Sequence, residues 1–184
     1  EHDTPSKNAQ IEEFLSDRYE FRYNTVLHRA EYRPRGTDDY TAVDRYRINT
    51  LKRALDKEAD VQTSPENLYS IIESDFSPRV NPVQAYFHSL PIMEEAKKGA
   101  ITALADCVSV ANPEKWKEYL TKWLVAVVAN AMDDKQCRNH TCLVLTGEQG
   151  KFKTTFLDLL CPPALSDYRY TGKIYPQEKD VLSL

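Results

Sequence analysis

The spacing of apolar positions changes period several times along the chain. Ile11, Phe14 and Leu15 fall at helical spacing, which predicts a short helix over residues 8–17. From Tyr19 the period drops to two. Tyr19, Phe21 and Tyr23 alternate with Glu20, Arg22 and Asn24, and a second extended piece runs from Arg29 to Arg33, before Pro34. This predicts a β-hairpin turning near Thr25 to His28, with no strong turn dipeptide to fix its register. Helical spacing returns over residues 41–57, with Val43, Arg47, Leu51, Ala54 and Leu55 on one side.

Three later helix starts share one device. Ser64-Pro65, Asn81-Pro82 and Asn112-Pro113 each put a side-chain acceptor at the N-cap and a proline, which has no N–H, at the first helical position. Leu68, Ile71 and Ile72 follow the first. Val83, Tyr86, Phe87 and Leu90 follow the second. The third opens the widest stripe: Trp116, Leu120, Trp123, Leu124, Val127 and Val128, expected to form the core of the helical part. A further helix is expected over residues 92–110, with Ile92, Ala96, Ala100, Leu104 and Val108. Thr141 to Thr146 then reads as a strand apolar on both faces, as inside a parallel sheet, and a helix from Lys153 stops at Pro162-Pro163. The predicted class is therefore α/β. A mostly helical region with a small hairpin (1–135) precedes the first strand-loop-helix of an incomplete core (136–184).

Composition narrows the picture. Of 184 residues, 41% are hydrophobic and 28% charged, which excludes a wholly disordered or fibrous chain. The longest apolar run, Trp123 to Ala129, is too short for a transmembrane helix, and no basic-then-apolar leader opens the chain. The start at Glu1 suggests a piece of a longer protein. Four unpatterned cysteines (Cys107, Cys137, Cys142, Cys161) suggest free thiols in a reducing compartment, hence a cytoplasmic location. Cys137, His140 and Cys142 do not have standard zinc-ligand spacing.

Net charge is −4, but eight of eleven arginines lie between residues 18 and 53. With Lys52 they make nine positive charges against five acids, a segment of +4 with tyrosines interleaved. Arginines can neutralise phosphates and exposed aromatics can stack on unpaired bases, so Arg22, Arg33 and Arg47 are candidate contacts to DNA or RNA. The competing reading is a solvated hairpin whose arginines pair with local acids.

Gly147-Glu148-Gln149-Gly150-Lys151-Phe152-Lys153-Thr154-Thr155 lies between the predicted strand and helix. It follows the phosphate-binding pattern G-x-x-x-x-G-K-[ST], except that Phe152 replaces the second glycine. Backbone N–H groups and a helix N-terminus make an anion site; Lys153 would reach the β- and γ-phosphates and Thr154 would hold Mg²⁺. A side chain at position 152 implies a negative φ there. The competing reading is a glycine turn between strand and helix.

WLVAVVANAMDD and NHTCLVLTGEQGKFKTTFLDLLCPPAL resemble the ATPase region of virulence-associated protein E family proteins, phage and mobile-element proteins related to superfamily 3 helicases. VNPVQAYFHSLP and YEFRYNTVLHRAEYR are similar to segments upstream of that region. The resemblance implies a P-loop (AAA+ type) NTPase domain binding ATP and Mg²⁺ through Gly147, Gly150, Lys153 and Thr154. It also implies a primase domain upstream, the rest of the ATPase downstream, and a homo-oligomer in the intact protein. The acidic strand end needed for hydrolysis is expected beyond Leu184, so this chain alone is expected to be inactive. The function implied is the ATP-binding part of a helicase-like replication protein. The alternatives are a nucleic-acid or protein binding module with a degenerate, structural loop, and a nucleotide-binding switch or kinase-like phosphotransferase.

Overall fold

The structure, a computed structural model, describes residues 5–92, 99–133, 141–170 and 172. It is a mixed helix-and-sheet (α/β) protein in two compact units, Glu1–Pro82 with Gly172–Leu184, and Val83–Thr171. The boundary expected at residues 135 and 136 lies outside the described residues.

The first unit opens with α1 (Lys7–Arg18), capped by the Ser6 hydroxyl, which accepts from the Ala9 N–H at 3.2 Å. It buries Ile11, Phe14 and Leu15, and at Tyr19 the backbone turns extended and becomes β1 (Tyr19–Asn24). β1 pairs antiparallel with β2 (Arg29–Pro34), Tyr19 opposite Pro34 and Asn24 opposite Arg29. The expected hairpin is present, and Asn24 fixes its turn. Its fully buried side-chain carbonyl accepts from the N–H groups of Val26 (3.1 Å) and Leu27 (3.0 Å).

The helix expected from residue 41 starts later. Thr41–Ala42 pair with β2 as β3, and Asp44 then caps α2 (Arg45–Glu58) by accepting from the Arg47 N–H at 2.8 Å. The cap residue is extended, so no helix can run through it. α3 (Pro65–Ile72) begins at the expected Ser64-Pro65 device. β4 (Arg79–Val80) pairs parallel to β1, giving the order β3-β2-β1-β4. Twelve buried apolar residues, from Ile11 to Ile72, form one core beneath the sheet. Fully burying each Leu or Ile contributes about 1.5–3 kcal/mol, so this face holds the unit together. Phe21 stacks on Tyr32 at 5.7 Å, with Tyr19 and Phe76 edge-on or tilted around the pair.

α4 (Pro82–Ser89) begins at the expected Asn81-Pro82. In the second unit, α5 (Ala100–Asp106) packs on α6 (Pro113–Met132). The helix expected over 92–110 is shorter. Ile92 is an exposed coil residue, residues 93–98 lie outside the described set, and α5 starts after Gly99, whose φ of +92° breaks a right-handed helix. α6 begins at the Asn112-Pro113 device, with the Asn112 side chain accepting from the Lys115 N–H at 3.1 Å. Its stripe is only partly a core. Trp116 and Leu120 are buried and Trp123 and Leu124 pack on them, but Val125, Val127 and Val128 are exposed, with no described element covering that half.

Candidate functional site

Residues 141–146 form no strand and join no sheet among the described residues; a strand needs a neighbouring strand to complete its ladder. The segment is not buried on both faces either. Leu143 and Leu145 pack on the cluster around Trp116 and Leu120, while Val144 points to solvent at 70% exposure. Its role is to lead the chain past α6 into the glycine loop.

At Gly147 the backbone reaches φ +148°, and at Gly150 φ +81°; both are values that a side chain disfavours. Phe152 is at φ +55°, ψ +22°, in the left-handed region, and not at the negative φ expected for a residue carrying a Cβ. The physical reason is its place. It is the N-cap of α7 (Lys153–Leu160), where the chain must turn sharply into the helix. The left-handed conformation costs a non-glycine residue about 1–2 kcal/mol. The Phe152 ring is 77% exposed and does not pack under the loop.

α7, like α5 at Gly99, starts from a left-handed residue without a side-chain cap. Ser6, Asp44, Ser64 and Asn112 each cap a helix with a side-chain acceptor, whereas Phe152 offers none. The helical ladder begins with the Phe156 N–H donating to the Phe152 carbonyl at 2.9 Å. The N–H groups of Lys153, Thr154 and Thr155 precede that bond and are the donors that a helix start leaves unmatched. The Lys153 ammonium reaches back across the loop and donates to the carbonyls of Gly147 (3.0 Å) and Glu148 (2.6 Å). Lys151 pairs loosely with Glu148 at 3.6 Å.

The loop forms one side of an open groove of about 1190 Å³. Gly147, Glu148, Gly150, Lys151, Phe152, Lys153 and Thr155 line it; Gln149 and Thr154 do not. Opposite are the α5–α6 connection and the first turns of α6, with Lys115, Trp116 and Tyr119. The Trp116 indole N–H donates to the Ala105 carbonyl at 3.0 Å and its ring meets Phe156 at 5.9 Å, so it is a packing residue that fixes the groove floor. Arg169, after a 3-10 helix at Pro163–Tyr168, pairs with Asp158 at 2.7 Å and ties the end of α7.

The arginine-rich segment is a separate arrangement in the first unit. The three sequence candidates are held by acids. Arg22 meets Glu31 (2.7 Å), Arg33 meets Glu20 (2.6 Å) and Arg47 meets Asp44 (2.6 Å). Tyr40 lies against the guanidinium groups of Arg22 (3.8 Å) and Arg33 (4.6 Å). At the centre is Glu31, which sequence reasoning counted only as one of five acids. It is 2% exposed and accepts from Arg22, Arg29 and Asn24. Burial pushes its carboxyl upward, but these three donors outweigh it and hold it below the usual carboxylate range. The signal was in the hairpin alternation: Glu31 falls directly opposite Arg22.

Among the described residues no group of three His, Cys, Asp or Glu side chains could hold a metal. Cys137 and His140 lie outside the described residues, and Cys142 is an exposed free thiol. No described helix is long and apolar enough to cross a membrane.

The architecture is thus that of a mixed α/β chain carrying a glycine loop at an uncapped helix start. Residues 93–180, which include that loop, match the family model of the virulence-associated protein E-like domain. That likeness associates the chain with phage and mobile-element proteins. No curated protein and no solved structure gives a significant match.

Proposed function

We propose that Gly147 to Thr155 hold the phosphates of ATP, and that the intact protein is a helicase-like, DNA-dependent ATPase of mobile-element replication. The observation that carries this reading is the uncapped start of α7. The amides of Lys153, Thr154 and Thr155 lack ladder partners, and Lys153 and Thr155 line a groove large enough for a nucleotide. Lys153 exchanges its two carbonyl partners for phosphate oxygens, and Lys151 and Lys115 add positive charge to the groove. Mg²⁺ binds largely through the phosphates and water, as its reluctance to dehydrate favours. The chain's own donor is a threonine hydroxyl. Thr154 is the position matched by the pattern, whereas Thr155 is the one that lines the groove.

A second reading has one observation in its favour. Lys153 is already satisfied by two loop carbonyls, as a purely structural loop would have it. Titration with a fluorescent ATP analogue and Mg²⁺ separates the two readings. Under the nucleotide reading the wild type binds and Lys153→Ala does not, while the fold persists with a loss below about 1 kcal/mol for a half-exposed side chain. Equal affinity in both proteins, or no binding by either, overturns the nucleotide reading.

A further inference from the structure

The fold disposes of the arginines between residues 18 and 53 unequally. Arg18, Arg22, Arg29, Arg33, Arg35 and Arg47 each meet a carboxylate within 4.0 Å. Arg45 and Arg53 have no such partner among the described residues, and both are exposed. They are eight residues apart on α2, two positions of an i, i+4, i+8 row whose middle member is the exposed Asn49. A rise of about 1.5 Å per residue separates them by about 12 Å. Tyr46, on the same face, is 78% exposed. Lys57 extends the row and half-buried Lys52 flanks it, against one acid, Asp56. The opposite face of α2 buries Ile48, Leu51 and Leu55, so this face is held in place by the core.

We infer that the outer face of α2 is a docking surface for single-stranded nucleic acid, with Arg45 and Arg53 on phosphates and Tyr46 stacked on a base. Two cations without carboxylate partners among the described residues, spaced along a rigid helix, complement a phosphate backbone. The exposed Tyr46 ring, one residue after Arg45, suits an unpaired base, which presents a π-face whatever its identity. An acidic protein surface would use the cations and leave the tyrosine without a role. The surface lies in the first unit and does not depend on nucleotide binding at the glycine loop.

The test is fluorescence anisotropy of labelled single-stranded DNA and RNA oligonucleotides of one sequence, and of the matching duplex, with the full chain at several salt concentrations. Each phosphate contact on a single strand contributes a slope of about −0.7 in log K against log salt. R45Q/R53Q should therefore flatten the slope by about 1.4. Tyr46→Ala should weaken single-strand binding on the order of tenfold, with the slope unchanged. K7Q/K122Q removes the same charge elsewhere and should bind like the wild type. No binding by the wild type at low salt overturns the inference. So does an unchanged slope in R45Q/R53Q, an equal loss in K7Q/K122Q, or a duplex bound as tightly as the single strand.

Discussion

The arginine hairpin and the glycine loop carry the two densest sets of candidate chemistry in this chain, and the fold treats them in opposite ways. In the hairpin, charge is turned inward onto protein. Glu31 gathers Arg22, Arg29 and Asn24, Glu20 gathers Arg33 and Arg35, and Tyr40 lies over two guanidinium groups. In the loop, donors are left over. α7 starts without a side-chain cap, and a non-glycine residue sits in the left-handed region to make that start. A satisfied network stiffens structure, whereas a helix start without a cap leaves donors over; backbone strain is not the difference, since His28 in the hairpin turn has φ +50° as well. Density of charged residues in the sequence therefore does not tell which donors folding leaves over.

If the hairpin network is structural, breaking it should have the largest effect. Glu31→Ala removes the shared acceptor and leaves two guanidinium groups and an amide without it. Truncating one partner of a buried pair costs about 3–5 kcal/mol, and since Arg22 and Arg29 keep some solvent contact we expect about 3 kcal/mol in urea denaturation. A loss below about 1 kcal/mol would mean the network is no firmer than a surface pair.

The same carboxylate makes the first unit acid-sensitive. Its pKa is lowered on folding, so its stabilisation is full above the unfolded-state value and is lost as pH falls through the folded-state value. Denaturation midpoints should fall below the ordinary carboxylate range, and Glu31→Gln should flatten that fall. A pH profile identical in wild type and variant would remove Glu31 from the account.

Asp44→Ala tests the other end of the segment. It deletes both the α2 cap and the Arg47 pair, and we expect a cost of about 1 kcal/mol by the same measurement. The smallest effect belongs to the loop. Phe152→Gly relieves the left-handed strain but adds chain entropy to the unfolded state, so stability should change by less than about 1 kcal/mol in either direction. A loss above about 2 kcal/mol would show that the exposed ring has a packing role after all.

The two units differ in the same sense in their cores. Ile48, Leu51 and Leu55 of α2 lie in a continuous buried cluster, whereas Val125, Val127 and Val128 of α6 are exposed. Amide hydrogen exchange should accordingly be slowest in α2 and α3, and faster by orders of magnitude in the last turns of α6. Equal protection would mean that the exposed valines are covered in solution.

Much of the local structure was legible in the sequence by itself. The Ser-Pro and Asn-Pro devices marked the starts of α3, α4 and α6, because capping and the missing proline N–H act within a few residues. Alternation gave both hairpin strands and the place of their turn, since a period of two is a property of one strand. The G-x-x-x-x-x-K-T spacing marked the loop and the first residue of α7. What needed a partner elsewhere in the chain was decided only by tertiary structure. Whether residues 141–146 are a strand depends on a neighbour to pair with, and whether α6 is core along its length depends on what covers it. Glu31 became the centre of a network because β1 and β2 bring Arg22, Asn24 and Arg29 around it. The sign of φ at Phe152 was misread because a Cβ disfavours the left-handed region without forbidding it, and the geometry of a helix start prevailed. Which arginines pair was settled last of all: among the described residues, six of those between residues 18 and 53 found carboxylates across strands, turns and helices, and two on the outer face of α2 did not.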